Sequence, residues 1–121
     1  MSINSRTKGA QAEREVAQLL RNQGHIEARR GQQYSGLKGD ADVVGVKGIH
    51  IEVKRQERVI DEKWLNQAEH DARLGDVPVV MYRRSHEKWK ILIRQDIADL
   101  IWQTLTDKQK DDIRNRLKLY P

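Results

Sequence analysis

Asp42, Glu52 and Lys54 are the residues whose types and spacing could do chemistry. Glu52 and Lys54 fall two apart in a β-branched stretch, so on a strand their side chains leave one face with Cα atoms ~6.6 Å apart. Two carboxylates side by side repel each other, and a hard divalent cation between them removes the conflict. Mg²⁺ takes oxygen ligands and keeps one or two protein carboxylates, with waters and phosphate completing its shell. Mn²⁺ can substitute. A lysine beside anions stays protonated. It can stabilise charge developing on a phosphate, or help position a water; whether it acts as base, orienter or stabiliser stays open. Carboxylate, carboxylate, lysine and magnesium are phosphodiester hydrolysis in outline.

Whether Asp42 joins the other two depends on the hairpin between two predicted strands, residues 41–46 and 49–54. A two-residue turn, Lys47-Gly48, pairs Asp42 with Val53 and points it away from Glu52. A three-residue turn, Val46-Lys47-Gly48, pairs Gly45 with Ile49 and Asp42 with Glu52. Such loops place a left-handed residue third, where Gly48 stands. This register also sorts Asp40, Asp42, Glu52 and Lys54 onto one face and Ala41, Val43, Ile51 and Val53 onto the other. It is the favoured one, and the shorter turn stays open.

The elements that must carry this hairpin follow from hydrophobic periodicity. Ala12, Val16, Leu19 and Leu20 predict a helix over residues 8–23, stopped by Gly24. A short strand over 25–30 and a glycine-containing loop over 31–39 lead to the hairpin. Trp64, Leu65, Ala68 and Ala72 predict a helix over 61–74, ended by Gly75. Strands follow over 78–83, where Pro78 suits only the start, and over 89–93. Ile97, Leu100, Ile101 and Leu105 share one helical face, and Thr106 with Gln109 forms a capping-box pattern opening a last helix. The order α-β-β-β-α-β-β-α-α predicts an α/β fold with a mixed sheet of about five strands flanked by helices. Residues 1–121 read as one domain, with a core over about 8–93 and a helical extension over about 94–121.

The 121 residues are 37% hydrophobic and 34% charged, which is polar but not disordered in composition. Lys and Arg number 23 against 18 Asp and Glu, a net charge of +5. A basic domain of this size points to a polyanionic partner, most often nucleic acid, with a merely soluble basic protein as the bland alternative. The absence of cysteine excludes disulfides, thiolate zinc sites and cysteine nucleophiles. No apolar run approaches ~18 residues, and residues 1–6 lack the hydrophobic stretch of a signal peptide. The expectation is a cytoplasmic protein with no membrane contact.

A Glu-x-Lys triplet alone is common in so charged a chain, and Asp61-x-Lys63 is a second acidic-x-Lys match at a helix start. The context carries more. With Asp42 as the aspartate and Glu52-x-Lys54 as the second half, the chain resembles the PD-(D/E)xK nuclease superfamily, with Ala41 where the family has proline. More narrowly it resembles the Hjc-like Holliday junction resolvases and related small phage nucleases. Gly9-x-x-x-Glu13 is similar to their N-terminal glutamate motif, Ser35-Gly36 to their serine-containing loop, and Trp64-x-x-Gln67-Ala68 to a common glutamine position. The resemblance covers roughly residues 8–93.

The resemblance implies a restriction-endonuclease-like fold and a Mg²⁺-dependent DNA endonuclease selective for branched DNA. It implies in-line attack of water leaving a 5′-phosphate and a 3′-hydroxyl, in a bacterial, phage or prophage setting. It also implies a homodimer, so that two sites cut two strands. Asp42 and Glu52 would hold metal, Lys54 would meet the scissile phosphate or attacking water, and Glu13 would support a metal or its water. The rivals are a general or nicking endonuclease of the same fold and a non-catalytic DNA-binding protein.

Each further residue has an ordinary reading beside the functional one. Glu13 sits at the edge of its helix's apolar stripe and is otherwise a surface glutamate; Glu15 points elsewhere. Gln67 touches the site or DNA, or is a boundary residue. Ser35 and Asp40 support the site or simply form turns. His50 shares the face of Glu52 and reads as a spectator. Arg29, Arg30, Arg55, Arg58, Lys63, Arg83 and Arg84 are the candidate phosphate contacts, each alternatively a solvated charge. Tyr34 is the base-stacking candidate, whereas Trp64, Trp89 and Trp102 are in phase with apolar neighbours. The last two helices, through Ile97, Leu100, Ile101 and Trp102, cap the core or form the dimer interface, with capping favoured.

Overall fold

The computed structural model describes residues 5–31 and 41–118. The elements are α1 (Ser5–Asn22), β1 (Arg29–Arg30), β2 (Val43–Val44), β3 (Ile49–Arg55), α2 (Asp61–Asp71), β4 (Val77–Arg83), β5 (Lys90–Leu92), α3 (Gln95–Thr104) and α4 (Asp107–Leu117). They fall in the expected order. The five strands form one mixed sheet in sequence order: β3 and β4 are parallel, joined across α2, and every other pair is antiparallel.

Val43 pairs with Ile51, which is the three-residue register. Ile49 N donates to Val46 O at 3.3 Å, and Gly48 takes the left-handed φ of +83° that closes the loop. Strands β1 and β2 are shorter than expected, at two residues each. Gly45 explains the end of β2: its φ is +94°, and a Cβ there would lie 2.1 Å from the Glu27 carbonyl oxygen. Backbone passes so close that the ladder cannot continue. Helix α2 stops at Asp71 rather than 74, because Ala72 turns extended (ψ 138°).

The side chains of β3 and β4 alternate between two layers. Val43, Ile51, Val53, Val79 and Met81 pack against Ala12, Val16, Ala17 and Leu20 of α1. On the other face Val80 packs against Trp64, Leu65 and Ala68 of α2. Parallel register puts Glu52 beside Val80 and His50 beside Pro78, on that same α2 face.

The last two helices do not cap the core: neither has a buried residue. Leu100, Ile101, Trp102, Ile113 and Leu117 are exposed. The expected capping box is formed, with Gln109 N on Thr106 Oγ1 and Thr106 N on Gln109 Oε1. Trp102 lies beneath the cationic ends of Lys110 and Arg114, which hold α4 to α3. The apolar stripe on α3 was read as core-facing because periodicity marks a face without saying what meets it.

Candidate active site

The three-residue turn pairs Val43 with Ile51 and leaves the Asp42 side chain within hydrogen-bonding reach of Glu52. Asp42 N donates to Ile51 O at 3.0 Å, one residue off the Val43–Ile51 register, so Asp42 stands just outside the regular ladder. Its side chain is held as well, since Oδ2 accepts from Val53 N at 2.8 Å. Glu52 is buried, and its Oε1 lies 2.7 Å from His50 Nε2. Lys54 follows on the same face at the edge of an open groove. Lys8, Glu13, Asp42, Lys54 and Arg55 line that groove, so the N-terminal half of α1 faces the hairpin across it.

The electrostatics reflect crowding of acids. Burial first, and the Glu52 carboxylate second, push the Asp42 carboxyl up from its ordinary 3.8 to about 7, against the opposing Val53 hydrogen bond. Glu52 moves the other way. Burial pushes it up, but hydrogen bonds from His50 and Asp42 and the charges of His50 and Lys54 outweigh burial and hold it below the usual carboxylate range. His50 is raised, chiefly by its hydrogen bond to Glu52 and against its burial. The two carboxyl groups thus lean on each other, the Asp42 carboxyl raised and the Glu52 carboxylate lowered by the hydrogen bond between them.

Such a pair fits a hard divalent cation. Both groups offer oxygen, and they converge. Two carboxylates suffice for Mg²⁺, which keeps waters for the rest of its shell. Among the described residues no group of three acids or histidines could hold a metal, so Glu13 does not complete a three-ligand cluster. Glu13 is buried beside the pair, and its Oε2 takes Arg30 Nε at 2.7 Å.

The other sequence candidates divide. Arg30 reaches the site through Glu13, and Arg55 lines the groove. Arg58 and Lys63 are exposed, and Arg29 donates to the Glu27 carbonyl at 3.2 Å. Arg83 and Arg84 are spoken for by the protein itself. Arg83 Nε and Nη2 bind Glu15 at 3.0 and 3.2 Å, and its guanidinium lies over Trp89. Arg84 Nε binds the Glu57 carbonyl at 2.9 Å. Glu15, set aside in the sequence, is thus a clamp that also accepts from Trp89 Nε1. Gln67 is exposed on α2, and among the described residues no hydrogen bond joins it to Asp42, Glu52 or Lys54. Tyr34, Ser35 and Asp40 lie outside the described residues. Arg6 and Arg14 are additions: with Arg30 they line a second groove sharing Glu13 with the first. Their i, i+8 spacing on one helical face was the signal available.

A five-stranded mixed sheet between helices, with an acid pair and a lysine on its central hairpin, is a restriction-endonuclease-like nuclease core. Over residues 4–120 the sequence matches the family described as "phage putative PDDEXK endonuclease", and the chain belongs to that family. The match includes the two C-terminal helices, which the sequence resemblance had not covered. Nucleases of the PD-(D/E)xK kind generally use divalent metals. No curated protein and no solved structure matches the chain. Among the described residues no helix is long and apolar enough to cross a membrane.

Proposed function

We propose that the protein is a Mg²⁺-dependent DNA endonuclease, with Mn²⁺ able to substitute, that prefers branched DNA of the four-way-junction kind. The observation that carries the nuclease reading is the close pair of Asp42 and Glu52, with Asp42 fixed by Val53 N and Lys54 beside Glu52. Asp42 and Glu52 hold the cation, which when bound supplies Lewis acidity and lowers the pKa of water. The Asp42 backbone and side-chain bonds to β3 keep its carboxylate in place through the reaction. Lys54 meets the scissile phosphate and offsets the charge that builds on it. Glu13, oriented by Arg30, orders water at the groove edge. A water attacking in line with the leaving oxygen would form the new P–O bond as P–O3′ breaks, losing a proton to solvent while the 3′-oxygen gains one, which leaves a 5′-phosphate and a 3′-hydroxyl. Arg55, Arg58, Lys63, Arg29 and the α1 arginines bind phosphates without reading sequence.

Branch preference rests on the resemblance to junction resolvases, and paired incision would need a homodimer. The test is cleavage of a synthetic four-way junction beside linear duplex of the same sequence in Mg²⁺, with Glu52→Ala as control. Symmetric cuts confined to the junction and lost in Glu52→Ala are expected. Equal cutting of both substrates would remove the branch preference and keep the nuclease. DNA binding without cleavage would replace the nuclease by a binding protein.

A further inference from the structure

His50 is a buried ionisable side chain that the chemistry above leaves without a task. It is 2% exposed, two residues before Glu52 on the same face of β3. Its neighbour across the sheet is Pro78, and Asp71, the last residue of α2, contributes to its electrostatic surroundings. The side-chain bond it makes is to Glu52, 2.7 Å from Nε2 to Oε1. An ionised carboxylate is only an acceptor, so Nε2 carries the hydrogen and donates it. Glu52 is therefore gripped through Oε1, while Asp42 is gripped through Oδ2 by Val53 N. Besides the contact between the two acids, Val53 N anchors Asp42 and His50 anchors Glu52, and these anchors lie within four residues of one strand. Side chains that ligate a cation usually need such an outer partner to set their orientation, and its loss typically weakens the cation's binding by ~10–100-fold.

We propose that His50 is a positioning residue: by donating from Nε2 to Oε1 it presets the Glu52 carboxylate so that a divalent cation meets Asp42 and Glu52 already aligned. The proposal rests on the reading of those two acids as the cation's carboxylates. A histidine that merely filled space would affect stability and leave cation affinity alone.

The experiment is Mn²⁺ binding to the full-length metal-free protein, read from the electron paramagnetic resonance signal of free Mn²⁺. His50→Leu, of similar bulk without a donor, should weaken binding by roughly 10-fold or more. His50→Gln, whose Nε2 can donate to the same oxygen, should recover most of it, while Glu52→Gln loses it. Thermal unfolding of each variant checks folding, and His50→Ala replaces the leucine variant if that one does not fold. In the wild-type protein the imidazole ¹⁵N and ¹H resonances of His50 should also shift on adding Mg²⁺. Wild-type affinity in His50→Leu, or an unmoved His50 resonance, overturns the positioning role. If Glu52→Gln loses Mn²⁺ in that case, the metal site stands without His50. If Glu52→Gln also binds like wild type, the reading of the site falls and the role of His50 with it.

Discussion

Strand β3 sends Ile51 and Val53 to one face of the sheet and His50 and Glu52 to the other, and the two faces are buried alike. Ile51 and Val53 meet Ala12, Val16, Ala17 and Leu20, and nothing in that layer asks for a hydrogen bond. Every buried square ångström there stabilises the fold, by roughly 25 cal/mol. His50 and Glu52 are just as inaccessible, at 2% and 6% exposure. Burying charge costs several kcal/mol unless the group is paired, and His50 and Glu52 are paired with each other. Helix α2 packs over β4 more than over β3, so Val80, Trp64 and Leu65 supply the apolar contacts that Glu52 and His50 do not. One face holds the molecule together, and the other buries a pair of acids against a histidine.

Substitutions on the two faces should therefore fail in different ways. The largest effect belongs to the acid face: Glu52→Gln should lower cleavage by at least ~100-fold, and chelation of divalent metal should do the same to the wild type. Single-turnover rates on one DNA substrate, with folding checked by circular dichroism, measure this. Rates within tenfold of wild type would break the division between faces. On the α1 face Met81→Ala should cost roughly 2–5 kcal/mol of unfolding free energy in urea, with the cleavage rate per folded molecule kept. A stable Met81→Ala with lost activity would mean that the apolar layer also shapes the site.

Asp42→Asn sharpens the contrast, because its sign reverses between activity and stability. The folded protein holds the Asp42 proton up to about pH 7, where the unfolded chain has released it near 3.8. Between those values the native state binds more protons, so this group makes stability fall as pH rises. Asparagine removes the loss while keeping an acceptor for Val53 N. Metal-free Asp42→Asn should thus melt a few degrees above wild type at pH 8, and close to it at pH 4. A lower melting temperature at pH 8 would show that the acid pair is not a burden. The smallest effect is a fraction of a proton. Titration of Mg²⁺ into wild type at pH 7, in buffers of different ionisation enthalpy, should show about half a proton released per site. Asp42→Asn should show less.

Much of this was legible in order along the chain. Apolar spacing in α1, α2 and β3 located those elements, and Gly24 and Gly48 marked turns that the backbone makes with positive φ, whereas α2 ends at Asp71, before Gly75. Asp42, Glu52 and Lys54 were found from residue type and spacing, and the hairpin register followed from turn length and from which residues share a face. The misses share a cause. The α3 stripe does not meet the core, Arg83 and Arg84 are engaged by Glu15 and the Glu57 carbonyl, and His50 bonds Glu52. Each depends on what stands opposite in space, which a one-dimensional pattern does not contain.

Local rules act within a few residues, through dihedral preference, period and turn geometry, so the sequence alone determined the elements, their order and the acid pair. Tertiary structure decided which apolar face found a partner, since α1 and α2 met the sheet and α3 did not. It also decided that Arg83 closes on Glu15, 68 residues away. It put His50 and Glu52 out of water together, because burial and pairing are properties of the packed layers rather than of any one strand.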